Sequence, residues 1–330
     1  MPTRSLVRPA GLTLACAAAI SLLVPAFALA HGSEGVGLRV VGPQGQTLAQ
    51  LIQWSGAVKV RTDPNALCFG QGTGGSGARV EIVSLGPDNP PTALGLVQEA
   101  SGTDRDLRPL SLTDAFDFGL GVCGIGGFQA QGSASWYLKH NHVGAQVAGD
   151  QLPVNQRDEV LWYLAPSFPY PSELALEAPG RVEPGGQIVV EVVRYADDGT
   201  PNPAVGATVS SRGSPVTTDS QGRASVAVGS RDVTLRATSG SDIPSNEVKV
   251  CVAQARSHCS PQQLVAGSDE RFFEIVKGTK LADKIKAGRG PDLVKARGGG
   301  PDRINCGRRR DTADVDANDT VRNCERVERR

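Results

Sequence analysis

The sequence predicts a mainly β, multi-domain protein: a β-grasp unit with one short helix, then a β-sandwich, then a short parallel β-roll-like repeat tail. Three observations carry that expectation. The 330-residue chain holds 40 glycines and 22 prolines beside a single methionine, a composition that favours short strands and many turns over long helices. Two aromatic runs within residues 133–164 alternate with period two. Trp136 and Leu138 fall on one face with Tyr137 and Lys139 on the other, and Val160, Trp162 and Leu164 share a face. Near the end of the chain, aspartates recur every eight to ten residues with an apolar or small residue two places on. This length suits two or three domains. With 34 basic and 34 acidic residues, nothing overall pulls the chain toward nucleic acid or an acidic surface.

Residues 1–30 read as a secretory signal. Arg4 and Arg8 give a positive start, an apolar run follows over 10–30, and Ala28-Leu29-Ala30 offers small residues for cleavage. Pro25 interrupts the run, which argues against a transmembrane anchor. Thr13-Leu14-Ala15 before Cys16 makes a poor lipoprotein signal. No second apolar segment reaches spanning length, so no membrane span is expected after cleavage. The mature chain is expected to be secreted or at the cell surface. It keeps six of the seven cysteines: Cys68, Cys123, Cys251, Cys259, Cys306 and Cys324. An even number in an exported chain suggests disulfides, and none of the six lies in a C-x-x-C pair. Roughly 15 connectivities are possible. The cysteines fall two per region, so the expected pairs are Cys68–Cys123, Cys251–Cys259 and Cys306–Cys324.

Residues 31–166 form the first mature region. Strand-like runs cover 37–41, 47–52 and 57–62. A glycine-rich loop over 69–77 lacks the Lys-Ser/Thr ending of a phosphate loop, and strand character returns at 79–83. Pro90-Pro91 precedes a helix over 92–100, in which Leu94, Val97 and Ala100 step at helical spacing. Ser101-Gly102 is expected to end it with the glycine left-handed. One short helix followed by a strand pair is consistent with a β-grasp. The helix Thr92-Ala93-Leu94-Gly95-Leu96-Val97-Gln98-Glu99-Ala100, then Trp136-Tyr137-Leu138, then Arg157-Asp158-Glu159-Val160-Leu161-Trp162-Tyr163 resemble the small domain of unknown function at the C-terminal end of transcobalamin and in many secreted bacterial proteins. In transcobalamin that domain helps enclose a corrinoid. No large helical partner domain is seen in this sequence, so cobalamin is not expected. A small-molecule or cell-surface ligand is expected on the face carrying Trp136, His140 and Trp162. His140 and His142, at i and i+2 on a strand, face the same side and are geometrically able to form a metal pair, although a polar turn is the expected reading. His31 is expected at the mature N-terminus, where amine and imidazole can chelate copper; no second histidine stands beside it.

After the proline-rich segment 166–171, residues 167–253 show short strands at 174–177, 187–195, 207–210, 224–228, 233–237 and 248–253. Gly185-Gly186, Asp197-Asp198-Gly199 and Ser220-Gln221-Gly222 separate them. That spacing predicts a β-sandwich. The run Val216-Thr217-Thr218-Asp219-Ser220-Gln221-Gly222-Arg223-Ala224 resembles bacterial immunoglobulin-like and carboxypeptidase-regulatory-like domains, which implies a spacer or adhesive role. Residues 254–270 are expected to be a linker.

In residues 271–330, Asp283, Asp292, Asp302, Asp311 and Asp319 recur at spacings of 9, 10, 9 and 8. Ile285, Val294, Ile304, Ala313 and Val321 each follow two places on. With Gly288-Arg289-Gly290-Pro291 and Gly298-Gly299-Gly300-Pro301 before two of the aspartates, this resembles the glycine-rich nonapeptides of RTX, or haemolysin-type, repeats. The resemblance implies a parallel β-roll with Ca2+ held between stacked turns, with Asp283, Gly290, Asp292, Gly300, Asp302 and Asp311 in the ligand set. Arg309 stands where the repeat has glycine. The arginines of the turns oppose a dication, and Cys306 and Cys324 offer a staple in its place. No aromatics interleave with these arginines, so base stacking and nucleic-acid binding are not expected.

Function therefore reads as a secreted, non-catalytic modular protein for ligand or surface binding. The alternative is an exported hydrolase of a surface polymer, for which Asp114, Asp117, Asp150, Asp158 and Glu159 are candidates by composition only. Neither G-x-S-x-G nor H-E-x-x-H is present.

Overall fold

The computed structural model describes residues 34–56, 58–68, 71–72, 74–82, 91–211, 214–268 and 273–330. The expected signal, His31 and part of the 69–77 loop lie outside them. The described chain is mainly β, with several sheets and one α-helix.

The first unit contains β1 (Glu34–Val41), β2 (Thr47–Ser55), β3 (Val58–Arg61), β4 (Leu67–Cys68), β5 (Gln71–Gly72), β6 (Arg79–Ile82) and α1 (Ala93–Thr103). It continues with β7 (Leu110–Thr113), β8 (Gly121–Ile125), β9 (Phe128–Gln129), β10 (Ser135–His140), β11 (Val143–Gly144) and β12 (Glu159–Ala165). Four strands run in the order β10-β12-β1-β2, with β1 and β12 parallel and both outer pairs antiparallel. Two outer strand pairs around a parallel centre, crossed by one helix, make a β-grasp. Alternation sets the inner face. Val36, Leu38 and Val40 on β1, Leu51 on β2, and Val160, Trp162 and Leu164 on β12 pack beneath Leu94, Leu96, Val97 and Ala100 of α1. Thr92 caps the helix, its hydroxyl accepting the Gly95 N–H at 3.1 Å. The helix does not stop at Ser101-Gly102 as expected; it runs to Thr103 and ends at Asp104, whose N–H reaches the Ala100 carbonyl at 2.7 Å. A 3-10 turn at Arg105–Leu107 then buries Leu107, so the tertiary contact rather than a glycine cap sets the end.

The sandwich comprises β13 (Glu173–Glu177), β14 (Arg181–Val182), β15 (Gln187–Tyr195), β16 (Pro201–Pro203), β17 (Thr208–Ser210), β18 (Val216–Thr217), β19 (Arg223–Ala227), β20 (Val233–Thr238) and β21 (Val248–Val252). One sheet centres on β15, which pairs with β13, β16 and β19; the other is ordered β14-β21-β20-β17-β18. Leu176, Ile188, Val190 and Val192 meet Val209, Leu235 and Val250 between them. The Thr218-Asp219 motif has a local explanation. The Thr218 hydroxyl accepts the Ala207 N–H at 2.8 Å, and Asp219 accepts the Gln221 and Arg223 N–H groups at 2.8 and 3.0 Å. Together they close the hairpin that aims β19 at the core.

The tail is a two-sheet roll of β22 (Gln263–Ala266), β23 (Ile275–Lys277), β24 (Asp283–Lys286), β25 (Leu293–Ala296), β26 (Arg303–Asn305), β27 (Thr312–Val315), β28 (Thr320–Arg322) and β29 (Arg326–Arg329). Even-numbered strands stack in one parallel sheet and odd-numbered strands in the other. Ile285, Val294, Ile304 and Ala313 fill the space between, as the Asp-x-apolar spacing requires. The segment expected to be a linker, 254–270, holds β22, the first rung. Its Leu264, Val265 and Ala266 carry no aspartate signature, so the sequence pattern missed it.

That rung joins the roll to the β-grasp. Strand β2 pairs in parallel with β22, Ile52 opposite Val265 and Gln53 opposite Ala266. One nine-stranded sheet therefore runs β11-β10-β12-β1-β2-β22-β24-β26-β28 through both units. The three cysteine pairs form as expected, with Cα–Cα distances of 4.6 Å for Cys68–Cys123, 5.5 Å for Cys251–Cys259 and 5.2 Å for Cys306–Cys324.

Candidate functional site

The outer face of the β-grasp sheet meets the sandwich. Alternation turns Arg39, Tyr137, Lys139, Leu161 and Tyr163 to that side, where Val41 and Ile243 complete a small apolar contact. Tyr137 stacks on Tyr170 at 3.8 Å and its hydroxyl donates to Asp197. Glu173, at the start of β13, lies at the centre of a buried charge cluster. The Arg39 guanidinium bonds it directly, Lys139 Nζ lies 3.8 Å away and His142 Nδ1 3.2 Å away. Glu173 is 2 % exposed and Lys139 1 %. Burial alone would raise the Glu173 carboxyl, but Arg39, His142 and Lys139 outweigh it and hold the group below its ordinary value. The His142 ring lies flat on Tyr195, centroids 3.8 Å apart.

Beside this cluster the three units enclose a cleft of about 620 Å³. It is lined by Gly35, Gly37 and Trp54 of the β-grasp, Glu177 of the sandwich and Lys277 and Thr279 of the roll. Trp54 packs against Val265 and Val276 in the roll core, and its buried indole N–H has no hydrogen-bond partner.

The face expected to hold a ligand lies elsewhere. Trp136 and Trp162 are core residues, 7 % and 2 % exposed. Their indole N–H groups donate to the carbonyls of Phe128 at 3.1 Å and Ala93 at 3.3 Å. Period two correctly gave them one shared face, but that face is the one α1 covers. His140 is also committed, its Nε2 2.8 Å from Asp158. Nor do the two histidines share a strand face. Asn141 and His142 both take positive φ, 48° and 69°, making a two-residue turn that sends His140 to Asp158 and His142 to Glu173. The cleft residues that sequence reasoning missed are Arg39, Lys139, Glu173 and Trp54. A lysine and an arginine in otherwise apolar strands were the available signal.

Of the hydrolase candidates, Asp158 and Glu159 line the cleft. Asp114 binds Ser76, Asp150 accepts the Leu120 N–H at 3.0 Å, and Asp158 holds Asn141, Asn155 and His140.

In the roll, Asp283, Asp292, Asp302, Asp311 and Asp319 are all buried and stand in two columns, one on each edge. Within each column, every carboxylate after the first accepts the backbone N–H of the aspartate one rung earlier. Asp302 takes that of Asp283 at 2.8 Å, Asp319 that of Asp302 at 2.9 Å, and Asp311 that of Asp292 at 2.8 Å. Gly288 and Gly307, at φ 120° and 106°, form the turns of one edge, where a Cβ on either would strike the backbone of the rung before. Arg309 holds φ 97° in the turn where the repeat has glycine.

The edges differ in how they fit a hard cation. On the edge of Asp283, Asp302 and Asp319, protein donors do most of the work. Thr279 binds Asp283 through its N–H and its hydroxyl, Asp316 N–H binds Asp319, and Arg329 Nη1 lies 3.0–3.4 Å from the carbonyls of Asp316, Ala317 and Asp319. On the edge of Asp292 and Asp311, both Asp292 oxygens and one Asp311 oxygen are buried without hydrogen-bond partners; on the other edge one Asp302 oxygen is. Burial, with Glu274 and Asp311 nearby, pushes Asp292 up to about 7; burial with Asp283 and Asp319 pushes Asp302 up to about 8. Among the described residues no three His, Cys, Asp or Glu side chains form a metal cluster, so turn carbonyls would have to complete any shell. Among these aspartates, the Asp292–Asp311 edge, with Gly290 in its turn, holds three unpartnered carboxylate oxygens, and the edge of Asp283, Gly300 and Asp302 holds one.

Comparison with protein-family models, with curated proteins and with solved structures finds no match. Among the described residues no helix is long and apolar enough to cross a membrane.

Proposed function

We propose that this chain is an exported, non-catalytic binding protein that takes a small-molecule or cell-surface ligand in the cleft between its three units, with Ca2+ bound along the Asp292–Asp311 edge of the roll. The observation that carries this reading is the continuous sheet. Because β2 pairs with β22, the roll forms a wall of the cleft rather than a free tail. Order imposed on the roll by a cation is therefore transmitted to Lys277, Thr279 and Trp54. A dication there would neutralise stacked carboxylates that otherwise oppose their own burial. The three disulfides suit an oxidising compartment outside the cytosol.

The test is a Ca2+ titration of the full chain by calorimetry and Trp fluorescence. Heat is expected together with a change in emission that Trp54→Phe removes and Trp136→Phe does not. The variant Asp292→Asn/Asp311→Asn should abolish both signals. No heat in the natural protein, or undiminished heat in that variant, would remove calcium from the proposal.

A further inference from the structure

A second groove, of about 670 Å³, lies on the far side of the β-grasp, between the β3–β6 hairpin, the C-terminal half of α1 and Arg108-Pro109. Among the described residues four basic side chains line it, Lys59, Arg61, Arg79 and Arg108, against one acid, Glu99. In a chain with equal numbers of basic and acidic residues this is a local concentration of one sign. All four basic residues are exposed.

Two details set this groove apart from an ordinary solvated surface. First, the hairpin register pairs Lys59 with Glu81, an attractive pair at 3.6 Å, but sets Arg61 directly opposite Arg79. Like charges directly across two strands oppose pairing, so an anion between them would relieve a standing repulsion. Second, two of the guanidinium groups are held through Nε alone. Arg61 Nε donates to the Gly77 carbonyl at 3.3 Å, and Arg108 Nε to the Ser101 carbonyl. That anchoring fixes each planar group and leaves its terminal amino groups as a paired donor edge, the geometry that takes carboxylate or phosphate oxygens two at a time.

We propose that this groove binds an acidic polymer, a linear chain whose repeats carry carboxylate or phosphate groups. A single anion at an exposed site gains little, because each contact is screened by water and salt. A repeating anion engages Arg61, Arg79, Arg108 and Lys59 together, and the contacts add through one tether. This site lies apart from the cleft and does not depend on calcium.

The experiment uses the full chain, with binding to polygalacturonate, inorganic polyphosphate, poly(U) and neutral dextran measured from 50 to 300 mM salt (roughly the range over which screening becomes severe). The first two probes tell a carboxylate polymer from a phosphate one. Binding to at least one of them is expected, with none to dextran and weaker binding to poly(U), since among the described residues no aromatic side chain lines the groove for base stacking. Arg61→Gln/Arg79→Gln should weaken binding about tenfold or more at low salt and flatten the salt slope by roughly 1 to 2, as the loss of two charge contacts requires. A control of equal charge, Arg231→Gln/Lys249→Gln on the sandwich, should bind as the natural protein does. Circular dichroism and thermal melting confirm that both variants are folded. Absence of polyanion binding at 50 mM salt, equal losses in the two variants, or tightest binding to poly(U) would each overturn the assignment.

Discussion

Replacing Glu173 by glutamine tests whether the buried charge cluster holds the β-grasp against the sandwich. The substitution keeps the size of the side chain but removes the negative charge facing Arg39 and Lys139, which are 8 % and 1 % exposed. Breaking a buried pair from one side strands the other charge away from water, at a cost of about 3–5 kcal/mol. In a chain of this size that should lower the melting temperature by on the order of 10 °C. Changing the cluster together, Arg39→Met/Lys139→Met/Glu173→Leu, should recover most of the loss, because no stranded charge remains. The pH dependence has a definite sign. Glu173 has a folded value below its unfolded one of about 4.5. Its stabilisation is therefore fully present above that value and is lost as pH falls through the lowered folded value. The difference between the natural protein and Glu173→Gln should be flat near neutrality and shrink on acidification. Denaturant unfolding across pH 3–8 measures it. A loss under about 1 kcal/mol, or a difference that grows in acid, would refute the assignment of Glu173 as the negative centre of the cluster.

Three further outcomes are expected. Gly307→Ala places a Cβ at φ 106° against the carbonyl of Gly288, and should destabilise the roll by about 1–3 kcal/mol with a shift in Trp54 emission; unchanged melting would show that the rungs can separate freely. Paired Cys→Ser changes should rank by the length of chain closed. The pairs span 55, 18 and 8 residues for Cys68–Cys123, Cys306–Cys324 and Cys251–Cys259, which gives about 4, 3 and 2.5 kcal/mol; calorimetry giving the reverse order would contradict the ranking. In chelator, the raised Asp302 favours the protonated folded state, so its stabilisation is present below its ordinary value of 3.8 and lost as pH rises through about 8. Metal-free protein should melt lower at pH 9 than at pH 6, and Asp302→Asn should flatten that profile; a flat profile in the natural protein would count against a buried, charge-averse carboxyl.

The strands were legible because alternation is a local property. Ile188, Val190 and Val192, or Trp136 and Leu138, announce a buried face within a few residues. The roll was legible for the same reason, since each Asp-x-apolar unit carries its own turn and core residue. Beyond the cysteine pairs, what escaped was the features made by two distant segments. Arg39, Lys139 and Glu173 look like solvated charges until β1, β10 and β13 meet. The pairing of Val265 and Ala266 with β2 leaves no mark on either stretch. Alternation also says that Trp136 and Trp162 share a face without saying which face the helix takes, and so the open cleft fell on the other side of the sheet.

The parallel pairing of Ile52 with Val265 has a consequence for how the molecule comes into being. The chain leaves the sheet at Ala165, completes an entire sandwich, and returns at Gln263 to extend the same sheet beside β2. Until that return, β2 is an unprotected margin, able to recruit any stray strand it meets. Assembly must therefore wait for the last third of the polypeptide, and the slow step in its birth should be the docking of the first rung rather than the formation of any one unit.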